Sequence, residues 1–102
     1  MSDRFEDFVA EIEHAATPEE RQELEAARAR YRIGSRLLQQ RLAAGLTQKE
    51  LASASGVDQA DISRIERGES NPTTETLDAL ARPLGVTLDL VAEPAAVESV
   101  RD

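Results

Sequence analysis

The chain has 102 residues, of which 20 are acidic and 12 are basic, with one histidine and no cysteine; this length suits one small domain with appendages. A chain without cysteine forms no disulfide and no cysteine-ligated zinc site, and His14 alone cannot build a histidine metal site or a catalytic triad. We therefore expect no enzyme activity, no metal and no cofactor. Because there is no signal peptide and no apolar run of about 18 residues, the sequence also predicts a cytoplasmic protein without membrane contact.

The net charge of −8 is concentrated at the two ends of the chain. Residues 1–29 hold nine acidic and three basic side chains, residues 30–84 hold seven and eight, and residues 85–102 hold four and one. Binding to nucleic acid depends on the local field of the docking face rather than on the total charge. The total charge therefore does not exclude nucleic-acid binding by the near-neutral middle of the chain.

The N-terminal part of the chain predicts two helices. Apolar residues recur at i, i+3, i+4 and i+7 among acidic neighbours, which is typical of a short amphipathic helix; they are Phe5, Phe8, Val9 and Ile12. The sequence Thr17-Pro18-Glu19-Glu20 then forms a capping box with proline at the first helical position. From there good helix formers continue to Ala44, interrupted only by Gly34, where the helix can bend.

Three short helices are predicted to follow. Thr47 and Glu50 form a second capping box, opening a helix that reaches about residue 55 before Gly56. Asp58 can cap a third helix over residues 59–67, which Gly68 ends. Thr73 or Thr74 caps a fourth helix, loosened near its end by a proline at position 83, with an apolar face formed by Leu77, Leu80, Ala81 and Leu84.

The only strand predicted in the chain lies after the fourth helix. Val86, Leu88 and Leu90 alternate with other residues up to Val91, which is a period of two. One strand alone leaves its amides and carbonyls without partners, so we expect it to pair with the same strand of a second copy, giving a homodimer. Residues 94–102 are predicted to be a disordered tail.

The middle of the chain combines L-T-Q-K-E-L-A, the central Gly56, Q-A-D-I-S-R-I-E-R-G and N-P-T in one register. This pattern resembles the helix-turn-helix of the Cro and phage-repressor type, the XRE family, over residues 33 to about 84. Together with the acidic N-terminal helices and the strand G-V-T-L-D-L-V, it resembles a HigA-type antitoxin of a toxin–antitoxin module.

The resemblance implies an all-α fold: a five-helix repressor-like helix-turn-helix domain with an N-terminal helical extension and one C-terminal strand that pairs across a dimer. We expect the extension in residues 1–31, the DNA-binding domain in 32–85, the dimerisation strand in 86–93 and the tail in 94–102. The apolar residues expected to form the core between the helices are Ile33, Leu37, Leu46, Leu51, Ala52, Val57, Ile62, Ile65, Leu77, Leu80 and Leu84.

In such proteins the second helix of the motif lies in the DNA major groove. The resemblance places four residues there as base contacts, and their side chains suit base edges: Gln59, Ala60, Ser63 and Arg64. Candidate phosphate contacts lie at the start of the motif's first helix and in the loop after its second: Thr47, Gln48, Arg67, Ser70 and Asn71. The phage proteins carry basic residues after the glycine, but this chain has none there. We therefore do not expect one monomer to bind DNA tightly.

A structural ion pair is also expected between Arg41 and Glu66. The helical register puts Arg41 on the stripe of Leu37, whereas Glu66 follows the buried Ile65, and the resemblance implies the same pairing. The alternative is two exposed charges. Removing one partner distinguishes the two cases, because it lowers the stability of the protein strongly only when the pair is buried.

Three functions remain open at the level of sequence. The first is a dimeric autorepressor on a palindromic operator in double-stranded DNA that also neutralises a cognate toxin, a basic ribonuclease, through the apolar stripe of its acidic N-terminal helix. The second is a repressor or controller without a toxin partner. The third is an interaction module that keeps the helix-turn-helix shape but contacts only protein.

Overall fold

The computed structural model describes residues 4, 6–8 and 16–93. Four helices carry the fold: α1 (Pro18–Ala43), α2 (Gln48–Ser55), α3 (Gln59–Glu66) and α4 (Thr74–Leu84). Residues 4 and 6–8 are also helical, in line with the predicted N-terminal helix. The remaining residues of its apolar stripe, Phe5, Val9 and Ile12, and the predicted tail at 94–102 lie outside the described residues. No helix in the described part is long and apolar enough to span a bilayer.

Side-chain caps begin three of the four helices. Thr17 and Glu20 form a capping box at α1, with hydrogen bonds of 2.8 and 3.1 Å, and Thr47 and Glu50 repeat it at α2, at 2.9 and 3.0 Å. The Thr17 N–H donates to the Glu20 carboxylate, and this bond holds the pKa of Glu20 below its ordinary value. At α4 it is Thr73 that caps, because its hydroxyl accepts from the Thr76 N–H at 3.1 Å.

The predicted cap of α3 does not form. Asp58 occupies the N-cap position, but its side chain makes no capping hydrogen bond. Its backbone carbonyl instead accepts from the N–H groups of Asp61 and Ile62, at 3.0 and 3.1 Å. The carbonyl thus already accepts the Asp61 N–H that a capping side chain would bind.

The core lies where α2, α3 and α4 meet the C-terminal half of α1. Leu51, Ile62 and Leu80 have no exposed surface, and Leu37 and Ile65 complete the buried cluster. Leu46, Ala52, Val57 and Leu84 are partly buried against it. Each helix contributes at least one residue to this cluster, and α3 contributes two, so the cluster holds α3 in a fixed orientation on the rest of the domain.

One prediction for α1 is wrong. The helix runs unbroken through Gly34, as the sequence predicts, but Ile33 is 41 % exposed rather than part of the core. Gly34 lies against the end of α3 so closely that a Cβ there would be 2.1 Å from the Ile65 carbonyl oxygen. Gly34 and Leu37 are therefore on the side of α1 that faces α3, and the helical rotation of about 100° per residue turns Ile33 away from it.

The predicted C-terminal strand is not formed within the described part of the chain. Residues 86–93 have no regular secondary structure after α4. Val86 is half-buried and its N–H donates to the Ala81 carbonyl at 3.1 Å, which completes the end of α4. Leu88 and Leu90 are exposed. A strand requires the edge of another strand for its backbone hydrogen bonds, and the described residues of one chain supply no such edge.

Candidate nucleic-acid interface

Helices α2 and α3 are joined by a tight turn. Gly56 ends α2 in the left-handed conformation, with φ of 78°, and its N–H donates to the Ala52 carbonyl at 2.9 Å. A residue with a side chain is strained at such a φ, so glycine is suited to this position. Only two residues separate Gly56 from Gln59, the first residue of α3. Two eight-residue helices packed through a shared core and joined in this way form a helix-turn-helix.

The face of α3 that points away from the core is polar and accessible. Gln59, Ala60 and Arg64 are exposed and Ser63 is half-buried, whereas the intervening Ile62 belongs to the core. The helical period places all four outward residues on one side. They present an amide, a methyl group, a hydroxyl and a guanidinium, which are the groups that recognise base edges in a major groove. The structure thus brings together the four residues that the sequence assigned to base contact.

The cationic groups of this face already have partners. Arg64 forms an ion pair with Asp61 one helical turn earlier. Arg67 Nη1 donates to the Ser63 hydroxyl at 2.5 Å, and Arg67 Nε lies 3.2 Å from a carboxylate oxygen of Glu69. Sequence analysis missed these contacts, although the i, i+3 spacing of Asp61 and Arg64 is a recognised signal for a helical ion pair. A ligand anion therefore has to compete with carboxylates of the protein itself.

At the start of α2, the two candidate phosphate contacts have structural roles. The Thr47 hydroxyl oxygen accepts the capping bond from the Glu50 N–H. Gln48 is half-buried, and its side-chain amide donates to Glu66 Oε1 at 3.0 Å. The sequence did not predict this second contact, because it joins residues 18 positions apart on different helices. A glutamine amide has two N–H donors, and this bond uses one of them.

Arg41 and Glu66 meet in a nearly enclosed ion pair. Their side chains are only 10 % and 5 % exposed, and two bonds join them: Arg41 Nε to Glu66 Oε2 at 2.6 Å and Arg41 Nη2 to Glu66 Oε1 at 3.0 Å. Arg41 Nη1 also donates to the Leu46 carbonyl at 2.8 Å. The hydrogen bond to Glu66 raises the pKa of Arg41 above its ordinary value. Through Gln48 the network connects α1, the start of α2 and the end of α3, and so orients the outward face of α3.

The remaining predicted site residues lie on the surface. Ser70 is half-buried and Asn71 is exposed in the loop between α3 and α4. Phe8, which is helical, is 56 % exposed. Leu90 is 97 % exposed near the C-terminal end of the described chain. Within the described residues, no group of three or more histidine, cysteine, aspartate or glutamate side chains could hold a metal ion.

The fold and the outward face of α3 define a helix-turn-helix domain, and comparison with known proteins identifies its family. Residues 37–91 match the HTH_3 helix-turn-helix family. The chain is 41 % identical over 70 residues to an uncharacterised HTH-type transcriptional regulator from Haemophilus influenzae, covering 69 % of this chain and 71 % of that protein. It is 46 % identical over 55 residues to another from Sinorhizobium fredii, covering 54 % and 71 %.

A solved structure shows the same relationship. The crystal structure of an HTH_3 family transcriptional regulator from Vibrio cholerae superposes with a TM-score of 0.59 and 34 % identity. The match covers 61 % of this chain and 35 % of the Vibrio chain, so this protein spans about a third of the Vibrio regulator. The chain belongs to the HTH_3 helix-turn-helix family, and its fold is the DNA-binding domain of helix-turn-helix transcriptional regulators.

Proposed function

We propose that the chain is a sequence-specific autorepressor that binds a palindromic operator as a homodimer. The observation that supports this most is the outward face of α3, where Gln59, Ala60 and Arg64 are exposed on a helix held rigidly by the core and by the Arg41–Glu66 pair. A recognition helix has to present base-reading side chains in a fixed orientation to distinguish one sequence from another.

Each outward side chain of α3 has a suitable base partner. The Gln59 amide can bond adenine N6 and N7, the Ala60 methyl can contact the thymine methyl, and Arg64 can pair with guanine O6 and N7. Ser63 can bond several base edges, once Arg67 releases its hydroxyl. Phosphates are contacted from the start of α2 and from the loop after α3, by Thr47, Gln48, Arg67, Ser70 and Asn71.

Replacing Gln59 by alanine tests this assignment. We expect Gln59→Ala to weaken binding to the operator by about 1 to 3 kcal/mol and to leave binding to random DNA nearly unchanged, because a base contact carries sequence information. Fluorescence anisotropy measures the two affinities, on the DNA upstream of the chain's own gene for the operator and on a duplex of random sequence. Gln22→Ala, which removes an exposed glutamine from the N-terminal half of α1, is the matched control. Equal losses on operator and random DNA would contradict the base contact, and no binding by the parent would contradict the proposed function and favour a protein-only module.

The proposed dimer forms through residues 86–91. Exposed Leu88 and Leu90 follow half-buried Val86, and an antiparallel pair of these segments would cover them against the fourth helices of both copies. The two-fold axis would also put two recognition helices on one side of the assembly, about 34 Å apart, as successive major grooves require. Two linked contacts raise the overall affinity without new chemistry in each monomer.

A proline in the segment tests the strand. Leu88→Pro removes one backbone donor, and Asp89→Pro removes one from the alternate set of amides, so at least one of the two should convert the dimer to a monomer and weaken operator binding. Sedimentation at micromolar concentration gives the oligomeric state. Leu88→Val keeps the donor and an apolar side chain and is the control, expected to remain dimeric. If both proline variants stay dimeric, the strand pairing is wrong.

A second function, neutralisation of a toxin, is favoured by the N-terminal segment. Residues 1–29 carry a net charge of −6 from nine acids and three bases, and Phe8 is exposed on a helical segment. An acidic surface with an aromatic side chain suits a basic protein partner, such as a ribonuclease encoded beside this gene. We expect the chain to co-purify with the product of a small basic neighbouring gene, and Phe8→Ala to weaken that complex without changing DNA binding. A chain that captures no such product would be a repressor without a toxin partner.

A further inference from the structure

A groove lined by arginines runs along one face of α1, outside the helix-turn-helix. Three arginines at four-residue spacing share this face. They line, with Tyr31, Ser35 and Gln39, an open groove of about 340 Å³. We call it the arginine groove, and its arginines are Arg28, Arg32 and Arg36. The rest of the lining adds hydroxyl and amide groups, so the groove offers hydrogen-bond donors together with positive charge.

The arginine groove already holds one carboxylate of the protein. Glu6 also lines the groove, and its Oε1 lies 3.4 Å from Arg28 Nη2. Arg36 donates to the Gln39 side chain at 3.4 Å, and no carboxylate of the described residues forms an ion pair with Arg32 or Arg36. The groove therefore accepts an oxyanion at one end and has two exposed guanidinium groups towards the other.

The groove lies next to the loop that follows α3. Gly68 in that loop packs on the backbone of Tyr31, so closely that a Cβ on Gly68 would lie 3.1 Å from Tyr31 Cα. The same loop carries three of the proposed phosphate contacts, namely Arg67, Ser70 and Asn71. Tyr31 therefore joins one wall of the groove to the loop that carries these proposed phosphate contacts.

The helix-turn-helix itself lacks the positive charge that a DNA duplex requires. Residues 47–73 contain three basic and five acidic side chains, and two of those bases are paired with Asp61 and Glu69. Phosphate neutralisation supplies a large share of protein–DNA affinity, so a regulator with this motif needs cations from elsewhere in the fold. The arginine groove is a group of such cations on α1, and its Tyr31 contacts the loop that follows α3.

We propose that the arginine groove binds the phosphate backbone of operator DNA, outside the base pairs that α3 reads. The proposal rests on the DNA-binding function proposed above. Guanidinium groups suit phosphate oxygens because they can donate two parallel hydrogen bonds. Arg32 and Arg36 make the contacts, and Arg28, which faces Glu6, lies at the edge of the site.

The test is the salt dependence of DNA binding by the full chain. The double variant Arg32→Gln/Arg36→Gln removes two exposed charges and is expected to fold like the parent, which circular dichroism checks. Removing two contacts between arginine and phosphate should flatten the slope of log K against log salt concentration by about 2 for each bound chain. Operator and random DNA should bind more weakly by a similar factor, at least about tenfold at about 0.15 M salt, because phosphate contacts carry no sequence information. Arg82→Gln removes one charge from α4, where Arg82 is 78 % exposed and paired with Asp78, and is the control.

The outcomes separate this proposal from the one it rests on. A flatter slope for the double variant, with the Arg82→Gln slope close to that of the parent, supports the groove. A parental slope for the double variant, or an equal change per charge in the control, overturns the groove and leaves operator binding by α3 intact. A double variant that binds DNA like the parent but no longer binds an acidic protein partner also overturns it. A parent that binds no DNA overturns both proposals.

Discussion

The enclosed pair of Arg41 and Glu66 gives the sharpest prediction for stability. Replacing either residue by alanine leaves the other charge in a site where its side chain is at most 10 % exposed. Arg41→Ala removes three hydrogen bonds at 2.6, 2.8 and 3.0 Å, two to Glu66 and one to the Leu46 carbonyl. Glu66→Ala removes the two bonds to Arg41 and the bond from Gln48.

We expect each single variant to lower the free energy of unfolding by about 3 to 5 kcal/mol, which is typical of breaking a buried ion pair from one side. That is a large part of the total stability of a small domain. The double variant Arg41→Met/Glu66→Leu should recover most of this stability, because neither charge remains buried. Arg82→Ala provides the control, since its exposed pair with Asp78 should contribute less than about 1 kcal/mol.

Urea denaturation followed by circular dichroism measures all four variants. A destabilisation of about 1 kcal/mol or less for both Arg41→Ala and Glu66→Ala would show that water reaches the pair and that the reasoning from burial is wrong. A double variant less stable than either single variant would show that the pair itself, rather than the removal of its isolated charges, dominates the stability. An unchanged dependence on urea concentration (m-value) is required for either conclusion, since a changed m-value means a changed unfolded or native state.

Two further predictions concern α1. Gly34→Ala should destabilise the protein by about 2 kcal/mol or more in a urea melt, because its Cβ would meet the Ile65 carbonyl oxygen at 2.1 Å. Alanine in place of glycine normally stabilises a helix interior by about 1 kcal/mol. An unchanged or higher stability would therefore contradict this close approach. Thr17→Ala removes only the side-chain contribution of Thr17 and keeps the backbone N–H that is the main cause, so in an NMR titration the pKa of Glu20 should rise only part of the way toward its ordinary value. The stabilisation that the Glu20 carboxylate gives the cap is fully present above the ordinary pKa of the carboxyl and disappears as pH falls through the lowered folded value. A Glu20 titration that is the same in the parent and in Thr17→Ala would refute the contribution of the Thr17 side chain.

The parts of the fold that depend on neighbours in sequence were predictable. The capping boxes of α1 and α2 join residues three positions apart, and the sequence alone specifies both partners. The same holds for the left-handed turn at Gly56, whose position follows from the short helices on either side. Burial of Leu51, Ile62 and Leu80 followed from helical periodicity, since each lies on the apolar side of its own helix.

The parts that depend on how helices meet were not predictable in the same way. Periodicity cannot tell whether Ile33 or Gly34 faces α3, because that depends on the distance between two helices rather than on either pattern. The contact between Gln48 and Glu66 likewise requires the crossing of α2 and α3 to be known. The predicted strand at residues 86–91 would need the edge of a second chain for its hydrogen bonds, and a period of two in one sequence carries no information on such an edge.

The ion pairs of Arg64 with Asp61 and of Arg67 with Glu69 affect how the proposed regulator would distinguish its operator from other DNA. Arg64 and Arg67 are paired with carboxylates in the free protein, so contact with any phosphate exchanges one ion pair for another and gains little. A guanine that offers O6 and N7 together gives Arg64 two directed hydrogen bonds and can compensate for breaking the pair with Asp61. Random DNA then binds weakly, because only the correct base offsets the exchange. Because the operator complex has to break this pair, Asp61→Asn removes its cost and should strengthen binding to the operator at least as much as binding to random DNA, which fluorescence anisotropy on both duplexes measures.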